Sequence, residues 1–157
     1  MKIALIGIGQ SLRGDDAAGL AAVRLWQAQY PQTVRKVQVE LFELPGLGLL
    51  DRLEGLQAAV LMDAVHSAAA PGSLYRLDPD ELAAFTTGAQ SAHGWGVAET
   101  LALGRSLYPA LAQCRLTLIG IVGEQFDLGA GLSPAIQSAL VPAAALIEKE
   151  VQALLQC

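Results

Sequence analysis

Three positions far apart in the chain carry side chains that could together bind a metal. Asp16, with Asp15 beside it, follows a glycine-rich segment. Asp63 interrupts an apolar run, and His93 precedes a stretch in which apolar residues have helical spacing. Two carboxylates and one imidazole form a ligand set that suits Zn, Ni or Fe. A structural zinc normally has four protein ligands, so this set leaves room for water, substrate or a metal carried by a partner.

Each of these residues also has a purely structural interpretation. Asp15 or Asp16 could cap a helix, which is worth about 1 kcal/mol, but one acid is enough for that. Asp63 could accept hydrogen bonds from a turn, although a charge inside an apolar strand is costly unless it is paired or binds a metal. His93 could be exposed, yet the helix start after it favours the neutral imidazole that binds metals. The other histidine, His66, is more typical of a solvated loop.

The glycine-rich segment from Gly7 to Gly19 also raises the possibility of nucleotide binding. A dinucleotide fingerprint that starts at Gly7 would need a third glycine where the chain has Leu12, and no Lys-Ser or Lys-Thr pair follows. The two acids at the helix start would also repel a phosphate. A nucleotide- or NAD-binding α/β enzyme therefore stays only as an alternative.

The remaining reactive side chains give weaker signals. Cys114 and Cys157 show no C-x-x-C spacing, which favours two unpaired thiols in a reducing compartment and leaves a bridge between them open. Ser11 and Ser91 lack the G-x-S-x-G setting of a nucleophilic serine. Three aromatic residues are expected to pack in the core or at an interface: Trp26, Trp95 and Tyr108.

The elements that must position these residues alternate between strands and helices. Apolar runs predict strands at residues 2–8, 34–42, 58–65, 74–77 and 116–122. Helices are predicted from Asp15 or Asp16 to about residue 30 and at 47–53, 78–85, 94–107 and 134–155. The connection before residue 74 is too short for a parallel crossover of roughly a dozen residues, so that strand should run antiparallel to the preceding one. The pattern predicts a three-layer α/β/α sandwich with a mixed, mostly parallel five-stranded sheet, and places Asp16 and Asp63 at its carboxyl edge.

The bulk composition predicts a soluble cytoplasmic protein with a single domain over residues 1–157. Hydrophobic residues make up 53% of the chain and charged residues 16%, which allows a well-buried core. A net charge of -5, from 10 basic and 15 acidic residues, argues against nucleic acid and anionic membranes as partners. No run approaches the ~18 apolar residues of a membrane span. The apolar N-terminal run is followed by Arg13, Asp15 and Asp16 where a signal peptide would need small residues.

Four segments in a fixed order also point to a known family. They are Gly7-Ile8-Gly9-Gln10 with Gly14-Asp15-Asp16-Ala17-Ala18-Gly19; Met62-Asp63-Ala64; Ser91-Ala92-His93 with Gly96; and Thr117-Leu118-Ile119-Gly120-Ile121 with Gly131-Leu132-Ser133-Pro134. On these segments the chain resembles the hydrogenase maturation proteases, endopeptidases that trim the C-terminal tail of the large subunit of nickel–iron hydrogenases.

The resemblance implies an α/β/α sandwich with a mixed five-stranded sheet, and it implies that Asp16, Asp63 and His93 are the metal-binding and catalytic residues. They would bind nickel already inserted in the large-subunit precursor, with no organic cofactor, and the peptidase would be aspartic-type or metal-dependent. Many members carry Glu where this chain has Asp16. A non-catalytic hydrogenase assembly chaperone is a further alternative.

Two departures from the family pattern stand in loops. Gln10 replaces the usual Asn after the second glycine, and residues 43–49 lack the usual Gly-Thr motif. The second loop is expected to help select the partner, so this departure affects which hydrogenase is processed rather than the class of reaction.

Overall fold

A mixed β-sheet forms the middle layer of the molecule. The structure, a computed structural model, describes residues 1–43, 47–78, 81, 90–91 and 97–157. Its strands are β1 (Ile3–Ile8), β2 (Gln38–Phe42), β3 (Ala58–His66), β4 (Leu74–Leu77), β5 (Gln90–Ser91) and β6 (Arg115–Val122). They lie in the order β2-β1-β3-β6-β4, and β5 pairs with β3 outside this path.

The strand directions confirm a mostly parallel sheet with five main strands. β1 pairs parallel with β2 and β3, and β3 pairs parallel with β6. β4 runs antiparallel to β6, and therefore to β3, as the short connection before it predicts. The antiparallel β5 has only two residues, too few for the sequence to show a strand pattern.

Helices cover both faces of the sheet and confirm the three layers. They are α1 (Ala18–Gln29), α2 (Pro31–Val34), α3 (Gly48–Leu53), α4 (Val97–Leu107), α5 (Pro109–Gln113) and α6 (Pro134–Leu155). One buried cluster joins α1 and α6 to the sheet, and a second joins α3, α4 and α5 to the other face. Both clusters include residues of β3, which explains why almost the whole of that strand is apolar.

The predicted start of the second strand differs from the structure, and α2 is the cause. The predicted strand at 34–42 begins only at Gln38, because Pro31 starts the one-turn helix α2. Proline is preorganised for a first helical turn, and the N–H groups of Thr33 and Val34 donate to the carbonyl oxygen of Tyr30. At Pro109, predicted to end a helix, α4 does end just before it, and the proline begins α5.

Two other predicted helices fall partly outside the described residues. Of the helix predicted at 78–85, the structure describes residues 78 and 81, whose side chains and backbone N–H groups form reciprocal hydrogen bonds of 3.0 and 3.2 Å. This capping box is typical of a helix start. Of the helix predicted at 94–107, residues 97–107 are helical and 94–96 lie outside the described part.

The closing helix α6 has the predicted bounds. Ser133 is its N-cap and accepts a hydrogen bond of 3.4 Å from the N–H of Ile136, while Pro134 occupies the first turn. Although α6 is the longest described helix, the described helices include none with the length and apolar character needed to cross a bilayer.

Candidate active site

Asp63 lies in the carboxyl-terminal half of β3 and is only 1% exposed. Its neighbours along the strand, Ala59 and Leu61, contribute to the core beneath α3 and α4. Because side chains alternate along a strand, Asp63 belongs to that same face of the sheet. The strand therefore brings one carboxylate, inside an otherwise apolar segment, to the end of the sheet where parallel α/β folds bind ligands.

Asp16 lies in a 3-10 helix, Gly14–Ala17, which connects the loop after β1 to α1. Its side chain is buried, with 2% exposure, and its Oδ2 accepts a hydrogen bond of 3.1 Å from the N–H of Gln10. A Cβ at Gly9 would collide with the carbonyl oxygen of Asp16, so this glycine permits the turn to fold back onto the end of β1. The glycine-rich segment thus places a carboxylate rather than a phosphate.

A second glycine brings this turn against β3. Gly19, near the start of α1, packs so closely on the sheet that a Cβ would collide with the carbonyl oxygens of Met62 and Ile8. Met62 directly precedes Asp63, and the 3-10 helix that carries Asp16 contacts β3. The structure therefore brings Asp16, in the turn that follows β1, and Asp63, in the neighbouring strand β3, to the same carboxyl edge.

His93 lies outside the described residues, so the structure does not place the third predicted ligand. In sequence it follows Ser91 by two residues, and Ser91 pairs with Val65 near the end of β3. Among residues 1–43, 47–78, 81, 90–91 and 97–157, no group of three ligand-capable side chains comes together. The described part thus supplies two of the three predicted ligands.

Asp15 has a different role from its neighbour and does not cap α1. It is fully buried and binds the loop between β6 and α6, where its Oδ2 accepts from the N–H groups of Glu124 and Gln125 at 2.9 and 3.1 Å. Both of its carboxylate oxygens also accept from Ser133, through the N–H at 2.7 Å and the hydroxyl at 2.8 Å. Burial raises the pKa of Asp15, but these hydrogen bonds outweigh it and hold that pKa below its ordinary value.

Ser133 is therefore the partner that sequence reasoning misses. A serine before proline at a helix start indicates an N-cap, and Ser133 does cap α6. Nothing in the spacing of the sequence shows that the same hydroxyl also binds Asp15, since the two residues are 118 positions apart. The pair fixes the loop that carries Asp16 against the loop after β6.

Several weaker candidates have structural roles. His66 ends β3, is exposed and stacks on Phe126 with ring centroids 4.0 Å apart, so it lies at a strand end rather than in a loop. Ser11 donates through its N–H and its hydroxyl to Glu43, and these bonds lower the pKa of that carboxyl. Trp26 is buried in the core, as expected, and Tyr108 is exposed.

The two cysteines are both free. Cys114 is buried beside α5 and Cys157 is exposed, which confirms the prediction of two unpaired thiols. Burial raises the pKa of the Cys114 thiol, and the charge of Arg105 lowers it by a smaller amount. Cys114 is therefore a poor nucleophile.

The fold and the site together define a class: an α/β/α sandwich protein whose candidate active site contains two buried acids at the carboxyl edge of the sheet. Comparison with known proteins makes the class specific: the family model described as hydrogenase maturation protease matches residues 29–150. The chain belongs to the hydrogenase maturation protease family. The matched range includes Asp63 and His93 and begins after Asp16.

Individual relatives match over nearly the whole chain. Hydrogenase 2 maturation protease of Escherichia coli (strain K12) is 29% identical over 98% of this chain and 96% of its own length. The structure of a NiFe hydrogenase maturation protease HybD from Thermococcus kodakarensis has a TM-score of 0.78 at 26% identity, covering 96% of this chain and 99% of that one. The hydrogenase maturating endopeptidase HybD from E. coli has a TM-score of 0.79 at 25% identity, covering 97% and 93%.

Proposed function

We propose that this chain is a cytoplasmic endopeptidase that removes the C-terminal extension of a nickel–iron hydrogenase large-subunit precursor after nickel insertion. The observation that carries the proposal is the pair of buried carboxylates, Asp16 and Asp63, at one sheet edge in a member of this family. Peptide hydrolysis needs groups that orient water and move protons, and carboxylates are suited to both tasks.

Asp16, Asp63 and His93 are proposed to bind nickel that the precursor carries as part of the substrate. Two oxygen donors and one imidazole nitrogen suit nickel, and the two described donors come from β3 and from the 3-10 helix that contacts it. A metal bound there would polarise the scissile carbonyl or acidify a water molecule. Recognition of nickel at this site would make cleavage depend on completed insertion.

The chain's own carboxylates are proposed to handle the protons of the reaction. A carboxylate oxygen of Asp16 or Asp63 that does not ligate the metal accepts a proton from the attacking water, whose oxygen forms the new bond to the scissile carbonyl carbon. The carbon–nitrogen bond then breaks, and the same group returns the proton to the leaving amine. This chemistry fits both an aspartic-type and a metal-dependent peptidase.

The test of the nickel requirement uses two preparations of one precursor, loaded with nickel and free of it. We expect the wild-type protein to cleave only the loaded form, as seen by loss of the C-terminal extension in mass spectrometry. Equal cleavage of both forms would contradict the nickel-sensing role and leave the peptidase assignment in place.

The test of the site uses the substitutions Asp16→Asn, Asp63→Asn and His93→Ala. Each is expected to lower kcat at least a hundredfold, because proton transfer alone contributes about 10²–10⁴-fold. Asp51→Asn is the matched control, because Asp51 is an exposed acid in α3. Full activity of His93→Ala would refute the role of the histidine.

The nucleotide-binding alternative loses support in the structure. Asp15 and Asp16 are both buried in the turn that leads into α1, where a phosphate would have to bind, and their charge would oppose it. An assembly chaperone would bind the precursor and leave its extension intact, so the cleavage assay distinguishes it from the peptidase.

A further inference from the structure

Two leucines have the largest exposed fractions among the large apolar residues of the described chain, and the loops that carry them are in contact. Leu12, in the loop after β1, is 71% exposed, and Leu128, in the loop after β6, is 74% exposed. The N–H of Gly129 donates to the carbonyl oxygen of Leu12 at 2.8 Å, so the two loops touch at these positions. Single exposed leucines are ordinary, whereas two from distant parts of the chain at one point form a patch.

The loops that carry the patch are held together by several hydrogen bonds. The N–H of Gly14 donates to Ala130 at 3.1 Å, and the N–H of Asp15 donates to Gln125 at 2.7 Å. The Asp15 carboxylate adds its bonds to the same loop and to Ser133. The leucine patch, Leu12 with Leu128, is therefore preorganised, and a ligand that binds it need not order either loop.

The leucine patch adjoins the candidate active site. Leu12 precedes Asp16 by four residues, and both loops leave the carboxyl ends of parallel strands, β1 and β6. Four residues of extended chain span at most about 14 Å. A substrate chain whose scissile bond lies at Asp16 therefore needs only about four residues to reach the patch.

We propose that the leucine patch binds an apolar side chain of the hydrogenase large-subunit precursor within about four positions of its scissile bond. The proposal rests on the proposed function, because that function brings an extended peptide to this edge. The occupant follows from reach and chemistry: two exposed leucines gain free energy only from an apolar partner, and the chain beside the cut is near enough to supply one. The patch thus contributes to substrate selection without touching the reacting bond.

The experiment measures cleavage of the full precursor by wild-type protein and by Leu12→Ser, Leu128→Ser and the double variant. We expect the double variant to raise KM roughly tenfold, as removal of two partly buried leucine contacts predicts, with kcat changed less than twofold. Binding of the precursor to the same variants in an Asp63→Asn background should weaken by a similar factor. Leu107→Ser, at an exposed leucine that ends α4, is the control and should leave KM unchanged.

A second set of cleavage measurements identifies the precursor side chain that binds the leucine patch. Serine replaces, one at a time, the apolar residues of the precursor within four positions of the cut, and the double variant of the protein is tested on each. Where a precursor substitution removes the contact, the leucine substitutions should have no further effect on KM. Strictly additive effects at every position would overturn the proposed occupant.

The results of these experiments distinguish the docking role of the leucine patch from the proposed peptidase function. Wild-type cleavage with an unchanged KM for the folded double variant would overturn the docking role and leave the proposed function standing. Failure of the wild-type protein to cleave the nickel-loaded precursor would overturn both. Circular dichroism checks that the variants are folded, which is expected because both side chains are exposed.

Discussion

At the residue scale, the neighbouring acids Asp15 and Asp16 have different roles: Asp15 links two loops, and Asp16 is a proposed site residue. Asp15 is buried among N–H and hydroxyl donors of the loop after β6, and its lowered pKa reflects that environment. Asp16 lies in the turn at the sheet edge that it shares with Asp63. The family resemblance selects Asp16 of the two, but the spacing of the sequence does not explain the structural role of Asp15, which depends on Ser133, far away in the chain.

Asp15→Asn should lower the free energy of unfolding by about 3 kcal/mol, because an amide group would face donors where a charged acceptor now lies. Urea denaturation followed by circular dichroism measures this change. Asp127→Asn, at an exposed acid of the same loop, is the control and should change stability by less than about 0.5 kcal/mol. Equal stabilities of the two variants would contradict the role of Asp15 as a link between the loops.

The two thiols should differ sharply in reactivity. Cys157 is exposed and should react rapidly with a disulfide reagent at pH 8, whereas Cys114 is buried with a raised pKa and should react only on unfolding. Absorbance of the released thiolate counts the reacting groups in native and denatured protein. In the Cys157→Ser variant the rapid phase should disappear; a rapid phase that remains would show that Cys114 is accessible.

At the element scale, the buried strands and the longest helix are predictable because packing determines their sequence. β3 and β6 are apolar along nearly their whole length, and α6 carries its own N-cap and Pro134, so their boundaries are found to within about a residue. The start of β2 is not predictable, because residues 36 and 37 continue the alternation of the strand while Pro31 and the Tyr30 carbonyl select a helical turn before it. β5 depends on pairing with β3 and leaves no local pattern.

Substitution of Gly19 tests whether the close approach of α1 to the sheet is needed for stability. Alanine favours a helix over glycine by about 1 kcal/mol, but here its Cβ would meet two strand carbonyl oxygens, those of Met62 and Ile8. Overpacking against backbone that cannot move should dominate, so Gly19→Ala is expected to lower stability by about 2–3 kcal/mol. Gly131→Ala is the control, because no atom lies within 4 Å of its added Cβ. Thermal denaturation compares the two variants.

At the scale of the whole molecule, the candidate site is predictable only in part. Parallel strands bring their carboxyl ends to one edge, so Asp16 and Asp63 could be grouped from strand order alone. His93 is grouped with them by its imidazole, by the helix start after it and by the family resemblance, and its role stays a prediction. The leucine patch could not be predicted. Leu12 and Leu128 are 116 positions apart in the sequence, and only hydrogen bonds between their loops bring them to one part of the surface.

In the same architecture, some bonds that stabilise the fold lie away from the candidate active site. Substitution of Glu148 in α6 tests whether such bonds affect stability without affecting activity. Its carboxylate accepts from the indole N–H of Trp26 and the hydroxyl of Thr33, each at 2.8 Å, and so ties α1 and α2 to α6. Glu148→Ala should lower stability by about 2 kcal/mol, because both donors would lose a charged acceptor. Its KM and kcat for the precursor should stay within twofold of wild type well below the melting temperature, because these bonds lie on an outer layer and not at the strand ends.

The matched control for Glu148 is Glu150→Ala, two residues further along the same helix. Glu150 accepts two bonds of 3.2 Å from the exposed guanidinium of Arg76, and loss of this ion pair is expected to lower stability by about 1 kcal/mol, less than loss of the partly buried bonds of Glu148. Chemical denaturation and precursor cleavage are measured on both variants. A loss of activity in Glu148→Ala at a temperature where it is fully folded would show that the α1–α6 layer influences the sheet edge, because α1 begins directly after the turn that carries Asp16.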